Sequence, residues 1–352
     1  MTKRTTIDDV AKLANVHKAT VSRALNALTE HQVSSETAKR VKRAARQLGY
    51  VPNVMARGLR TSLSMTIGVI IPDLTNPFFP PIIRGIESFL QPRGYTALLA
   101  NTDGHEAIED AAFESLLERR VDGFIFATGR HGDQTVIARA FEANVLAVML
   151  NREADLIPYP LVTGNDASGI SAAVNHLVEL GHRDILHIAG PFNLSTSVVR
   201  AEAFTSSCHS IRGVRGRVVE AASLSIEAGQ RSMDDVLSEK GRRPTAVIGG
   251  NDLLALGTLR SMKSHGLRCP EDVSVIGFND MLFAEDFAPP LTTVRVPTFD
   301  MGTEAARLLL RSIEAGAQEQ VRITLPVADG AMKSVATLVS TSDSQTNYSH
   351  AH

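Results

Sequence analysis

Apolar positions recur along this chain with two different periods. In the first fifty residues the period is helical, and three short patterns stand out. Thr6 is a helix cap with Asp9 three residues on, and Val10, Leu13 and Ala14 follow on one face. Lys18 to Leu28 brings Val21, Leu25 and Leu28 together and turns Lys18, Ser22 and Arg23 the other ways. The third pattern opens at Ser34 and sets Val41, Ala44, Ala45 and Leu48 inward. Lys39, Arg40, Lys42, Arg43 and Arg46 face outward, and Gly49 stops the helix. Beyond Pro52 the chain becomes a series of short β-rich runs: Thr66 to Ile71, Thr96 to Ala100, Gly123 to Ala127, Val145 to Leu150, Ile185 to Ala189, Ala246 to Gly249 and Val273 to Gly277. Between them lie amphipathic segments marked by Ile82, Ile86, Phe89 and Leu90, by Ala112, Leu116 and Leu117, by Ile170, Val174 and Leu177, and by Leu253, Leu256 and Leu259. This alternation predicts parallel strands covered on both faces, arranged as two doubly wound halves.

A chain of 352 residues exceeds the size at which one apolar core stops growing, so two or three units are expected. No apolar run approaches the roughly 18 residues that span a bilayer, so no membrane partner is expected. The first residues are basic but lack an apolar stretch and a small-residue cleavage site, which predicts a cytoplasmic location. Cys208 and Cys269 have no metal-like spacing and are expected to be thiols acting as small hydrophobes. The formal net charge of −2 hides an asymmetry: residues 1 to 62 hold 12 Lys and Arg against 4 Asp and Glu, and the remainder holds 24 against 34. One end is therefore suited to a polyanion.

The ordered motifs of the chain resemble those of the lactose-repressor/galactose-repressor (LacI/GalR) family of transcriptional regulators. They run from Ile7-Asp-Asp-Val-Ala-Lys-Leu-Ala-Asn-Val through Ala19-Thr-Val-Ser-Arg-Ala-Leu-Asn, Leu48-Gly-Tyr-Val-Pro-Asn and Ala56-Arg-Gly-Leu-Arg. Ile67-Gly-Val-Ile-Ile-Pro-Asp-Leu-Thr-Asn-Pro-Phe-Phe, Arg120-Val-Asp-Gly, Leu180-Gly-His-Arg, Pro244-Thr-Ala-Val, Asn251-Asp-Leu-Leu-Ala-Leu-Gly and Asp272-Val-Ser-Val-Ile-Gly-Phe-Asn-Asp continue the series. The resemblance implies a small all-α helix-turn-helix headpiece over residues 1–50 and a hinge over 51–64. It further implies an α/β two-lobed periplasmic-binding-protein-like core over 65–341, built on two doubly wound parallel sheets. Lobe 1 is expected at about 65–162 and 296–324, and lobe 2 at about 163–295 and 325–341, with three crossings between them. Residues 342–352 are polar and expected to be a disordered tail.

In such a headpiece the second helix lies in the major groove, where each base pair shows its own donor and acceptor pattern. Arg23 can hold a guanine edge with two hydrogen bonds, Ala19 can meet a thymine methyl, and Lys18 can donate to a guanine or a phosphate. Thr20 and Ser22 lie on the same helix, and Asn26, Lys39 and Arg40 equally suit phosphates. Thr6, Tyr50, Asn53, Ala56 and Arg60 complete the DNA-binding set that the resemblance implies. Leu59 matches the hinge leucine that wedges into the minor groove at the centre of a palindrome, where a CG step unstacks readily. Beside it, Gly58 lowers helix propensity by about 1 kcal/mol relative to alanine. His17 stands where the family has a Ser or Thr cap, and imidazole is a weaker cap.

The implied ligand cleft lies between the lobes at the strand ends. Phe78 and Phe79 fit an apolar platform for a sugar ring, and Phe79 fits the core equally well. Arg200 matches a ligand-clamping arginine, with Thr196 and Leu224 nearby. Asn251 and Asn279 close the second-lobe side, and Asp73, Thr128 and Arg152 contribute from the first. Asn279 replaces the family's aspartate, which widens the expected effectors from a neutral sugar to a sugar acid or sugar phosphate. A homodimer on a palindromic double-stranded operator is expected, because the tail carries no leucine heptads. Ala328 to Leu338 departs from the family's usual closing strand. No cofactor is expected, and no enzyme: phosphate loop, nucleophile elbow and metal-ligand spacing are all missing, and His182 and His187 fit structural positions. The remaining alternatives are a regulator controlled by a protein partner and a cytosolic solute-binding protein.

Overall fold

The computed structural model describes residues 5–25, 29–50, 63–132, 135–154 and 157–329. Asn26, Asn53, Ala56, Leu59 and Arg60, together with the expected tail, lie outside the described residues.

The headpiece contains α1 (Ile7–Ala14), α2 (Lys18–Ala24) and α3 (Ser35–Gln47). Thr6 and Asp9 form a reciprocal capping box on α1, and Asn15 ends that helix in the left-handed conformation. Val10, Ala14, Val21, Ala24, Val41, Ala44 and Ala45 make the bundle core. Leu13, expected inside, is 47% exposed. The buried face is centred on Ala14 and takes in Ala11, which rotates Leu13 to its margin. Longer-range bonds tie the bundle together: Arg40 Nε donates to the Ala14 carbonyl at 2.9 Å, and Thr5 Oγ1 to the Leu48 carbonyl at 3.0 Å.

The rest of the described chain forms two six-stranded sheets. The first contains β1 (Thr66–Ile71), β2 (Thr96–Asn101), β3 (Gly123–Phe126), β4 (Ala147–Leu150), β5 (Leu161–Gly164) and β11 (Arg322–Leu325), in the order β11-β5-β4-β3-β1-β2. The second contains β6 (Asp184–Ala189), β7 (Arg215–Glu220), β8 (Ala246–Gly249), β9 (Ser274–Asn279), β10 (Thr292–Arg295) and β12 (Ala328–Asp329), in the order β12-β10-β9-β8-β6-β7. All pairings are parallel except that of the two-residue β12 with β10. The expected strands appear, and five more join them. Of these, β7 and β11 are edge strands with exposed arginines, and β12 has two residues, so none carries the apolar run that betrays a central strand. The Asp122 carboxylate accepts from the backbone N–H of Ser64 and Met65 at 2.7 and 2.8 Å and anchors the entry into β1.

Helices cover both faces: α4 (Phe79–Leu90), α5 (Glu106–Glu118), α6 (Thr135–Glu142) and α11 (Thr298–Ala315) on the first sheet, and α7 (Asp166–Glu179), α8 (Ser195–Ser210), α9 (Ile226–Ser238) and α10 (Asp252–Ser264) on the second. In α10 the core face consists of Leu254, Ala255, Thr258, Ser261 and Met262, with Leu253, Leu256 and Leu259 only half-buried. The expected leucine stripe drifts around the helix, because three-residue spacing falls short of a full turn.

One helix pair in each lobe packs backbone against backbone. A Cβ on Gly85 would land on the Phe299 carbonyl, and one on Gly302 on the Ile82 carbonyl, so α4 and α11 cross at glycines. Gly229 against Leu254 and Gly257 against Ile226 repeat the device between α9 and α10. Backbone atoms cannot yield as a side-chain tip can. Gly302→Ala is therefore expected to cost about 1–3 kcal/mol or more in urea unfolding. Gly241→Ala, which meets nothing within 4 Å, should be neutral or slightly stabilising.

Candidate functional site

On the headpiece, α2 presents a polar outer side. His17 caps it, its Nδ1 accepting from the Ala19 N–H at 3.2 Å, so the imidazole fills the place of the usual hydroxyl. Lys18 and Arg23 are exposed, and Ala19, Thr20 and Ser22 are half-buried on the same short helix. Thr6 is held in the α1 cap and Tyr50 packs against the bundle core, so both sit beside the helices rather than on α2. Lys39 and Arg40 are exposed on α3.

Between the lobes lies a cavity of about 550 Å³, within the usual range for small-molecule sites. In each doubly wound sheet the strand order reverses, between β1 and β3 in the first and between β6 and β8 in the second, and the C-terminal strand ends there open a crevice. The cavity walls come from such ends: Asp73 after β1, Thr102 and Asp103 after β2, Thr128 and Arg130 after β3, and Arg152 after β4. The second lobe adds Pro191, Asn193 and Leu194 after β6 and Leu224 with Ser225 after β7. Hydrogen bonds between the lobes include those from His131 N–H to the Asn193 carbonyl at 2.7 Å and from Glu153 N–H to Ser195 Oγ at 3.2 Å.

Of the expected effector residues, Asp73, Phe79, Thr128, Arg152 and Leu224 line this cavity. Phe79 is both core and wall: it opens α4, is buried, and meets Phe78 edge to face with centroids 5.3 Å apart. Phe78 lies behind it and is not in the wall.

Thr196, Arg200, Asn251 and Asn279 also lie outside the cavity wall. Arg200 is fully engaged within lobe 2. Its Nε donates to Asp166 Oδ2 at 3.0 Å, a terminal nitrogen donates to the Gly250 carbonyl at 2.6 Å, and the guanidinium stacks 4.0 Å over the Phe278 ring. Burial pushes the Asp166 carboxyl up and the Arg200 charge opposes that shift. Asn251 caps α10, its Oδ1 accepting from the Leu254 N–H at 2.8 Å and its amide donating to the Leu224 carbonyl at 3.4 Å. Thr196 is buried in the first turn of α8. Asn279, at a positive φ of 118°, buries an Oδ1 that has no partner.

The sequence reading passed over Arg130 and Asn193. Both follow strands that were legible, and the rule that open α/β sheets bind ligands beyond their carboxyl ends points to them. Arg130 is built into a buried cluster. Its terminal nitrogens donate to Glu109 Oε2 at 3.0 Å and to the Gly104 carbonyl at 3.2 Å, and Thr128 Oγ1 donates to Glu109 Oε1 at 2.5 Å. Burial raises the Glu109 carboxyl, with Thr128 and Arg130 opposing. Among the described residues no group of His, Cys, Asp and Glu could hold a metal ion, and no helix is long and apolar enough to cross a membrane.

Residues 6–53 match the family described as bacterial regulatory proteins, lacI family, and residues 174–329 match the periplasmic binding protein-like domain. The chain is 34% identical over 310 residues to the HTH-type transcriptional repressor CytR of Escherichia coli (strain K12), covering 88% of this chain and 90% of that protein. Among solved structures, the lac repressor dimer bound to operator and the anti-inducer ONPF aligns with a TM-score of 0.80 at 29% identity, covering 95% of this chain and all of that one. The transcriptional regulator CelR in complex with cellobiose aligns at 0.71 and 30% identity, covering 94% and 100% of the two chains.

The two histidines singled out earlier are structural. His182 Nδ1 lies 3.0 Å from Thr245 Oγ1, and His187 donates from Nδ1 to the Ile248 carbonyl at 2.9 Å while its Nε2 is buried without a partner. Burial lowers the His187 imidazole from 6.5 to about 4, the Ile248 bond opposing and Arg200 adding to the shift. The folded chain thus binds this proton less well than the unfolded one. The associated stability, about 3 kcal/mol, is complete above pH 6.5 and is lost as pH falls toward 4. Between pH 7 and pH 4.5 the native chain is expected to lose more stability in urea than His187→Leu does. Equal losses would remove His187 as the cause.

Proposed function

Because the chain belongs to the lacI family of bacterial regulatory proteins, and is a DNA-binding transcriptional regulator built on that family's fold, we propose that it represses transcription as a homodimer on a palindromic operator, under the control of a small polar effector bound between its lobes. The observation that carries this reading is the pairing, on one chain, of an exposed polar α2 inside the lacI match with a polar cavity at the facing strand ends of two lobes.

Lys18, Ala19, Thr20, Ser22 and Arg23 read base edges in the major groove, and Asn26, Lys39 and Arg40 hold phosphates. Thr6, Tyr50, Asn53 and Ala56 position the headpiece, while Leu59 and Arg60 enter the minor groove at a central CG step. Exposed Leu282 and Phe283, 70% and 62% accessible in the loop after β9, are apolar surface that a second copy would cover, which supports the homodimer. The lac repressor structure in the comparison is itself a dimer on operator.

The effector belongs to the carbohydrate class. CelR, which covers nearly the whole chain, is seen with cellobiose, and the cavity here joins an apolar wall, Phe79 and Leu224, to hydroxyl, amide and charged groups. A ligand shifts the DNA-binding population only by its different affinity for the two arrangements of the lobes. The bonds from His131 to Asn193 and from Glu153 to Ser195 are the contacts that such a rearrangement would make or break.

Selection of bound DNA from a random pool should enrich a palindrome, and addition of an effector should change that binding. Arg23→Ala should weaken binding by about 1–3 kcal/mol and relax the preference at one symmetric pair of positions. Enrichment of an unsymmetrical site, or unchanged preference in Arg23→Ala, would count against the reading.

A further inference from the structure

The arginines in and behind the cleft are unequally satisfied. Arg200 is paired with Asp166, and Arg130 with Glu109. Arg152, at the end of β4, is only 8% exposed and lines the cavity, yet its Nε has no partner and no carboxylate pairs with it among the described residues. Its surroundings oppose its charge: burial first, then Arg200 and Arg130, lower its pKa to about 10. A buried cation left without a counter-ion destabilises a fold, and a protein keeps one where something else supplies the negative charge.

Among the described residues, the nearby acids are engaged elsewhere. Glu109 is engaged by Thr128 Oγ1 on one oxygen and Arg130 on the other. Glu153, the next residue, pairs outward with Arg322. Asp73 and Asp103 do line the cavity, but on less buried loops, where Asp73 Oδ1 accepts from the Thr75 N–H at 2.8 Å and Thr75 Oγ1 at 2.6 Å, and Asp103 Oδ1 accepts from Asn101 Nδ2 at 2.6 Å. The second lobe's share of the wall, from Pro191 to Ser225, carries no charged side chain. Arg130 spends two of its five N–H donors on Glu109 and Gly104 and points from the same strand-end layer as Arg152.

We propose that the effector is a polyhydroxylated anion, a sugar acid or a sugar phosphate, whose anionic group is bound by Arg152 with Arg130 beside it. Asp73, Asp103 and Asn193 accept from or donate to its hydroxyls, and Phe79 and Leu224 face its C–H surface. Planar guanidinium groups match carboxylate and phosphate oxygens, and two of them outbid the solvent shell of such an anion where one exposed lysine would not. Glu109 acts on Arg130 as a positioning residue. This inference rests on the effector reading above and narrows it.

Calorimetry on the full-length chain with the common pentoses and hexoses, the matching aldonates and the matching terminal phosphates tests it. At least one anion should bind, its neutral parent should bind at least tenfold more weakly, and Arg152→Gln and Arg130→Gln should each weaken the anion at least tenfold. Whether the aldonate or the phosphate binds decides which anion is meant. A neutral sugar that binds more tightly than its acid and phosphate, and equally well to Arg152→Gln, would overturn the anion while leaving an effector in place. Silence from the whole panel would overturn both. Ligand-free Arg152→Gln gives an independent measure: it should melt at a higher temperature than the native chain, because an uncompensated charge has gone. A lower melting temperature would make Arg152 a structural residue and overturn the proposal.

Discussion

The chain passes between its two sheets three times, and these passages hold one another. They run through Gly164 to Asp166, Arg295 to Thr298 and Leu325 to Ala328. Gly164 has Val296 and Val327 within van der Waals reach of its Cβ position, and Asn165 N–H donates to the Leu325 carbonyl at 2.8 Å. The crossings are bundled together and join the two lobes. Their carboxyl strand ends therefore face each other across one cleft. Everything attributed to the site follows from this: a cavity with walls from both lobes, and cross-cleft bonds that depend on how far the lobes close.

Each lobe is closely packed inside. The glycine crossings of α4 with α11 and of α9 with α10 bring backbones into direct contact. Interfaces packed to this density switch between arrangements instead of deforming smoothly. In the proposed reading, a ligand at the strand ends acts on the angle between the lobes.

Electrostatics divides the buried arginines by task. Arg200, with a carboxylate, a carbonyl and an aromatic ring around it, is part of the framework of lobe 2. Arg152 lines the cavity and has no carboxylate paired with it among the described residues. The family position of Arg200 pointed to a ligand clamp, and in this structure its donors meet Asp166 and the Gly250 carbonyl within lobe 2. In sequence the two arginines look alike. Among the described residues, the placement of Asp166 against one and of no acid against the other separates them.

What the sequence by itself determined was local or repetitive: the three headpiece helices with their caps, the central strands Thr66–Ile71 and Ala246–Gly249, the helix faces of Ile82 and Ile170, and the family. Helical period, capping chemistry and apolar runs are written in neighbouring residues, so they survive without knowledge of the rest of the chain. The exposed Leu13, the turned face of α10, the edge strands β7 and β11, and the surroundings of Arg130, Arg152 and Arg200 were decided by tertiary structure. Each depends on a partner tens to hundreds of residues away, and no local pattern encodes which distant carboxylate, backbone or strand will arrive. The same holds for the cleft: its strands were legible one by one, but only their order in two sheets and the three bundled crossings turn their ends toward a common ligand.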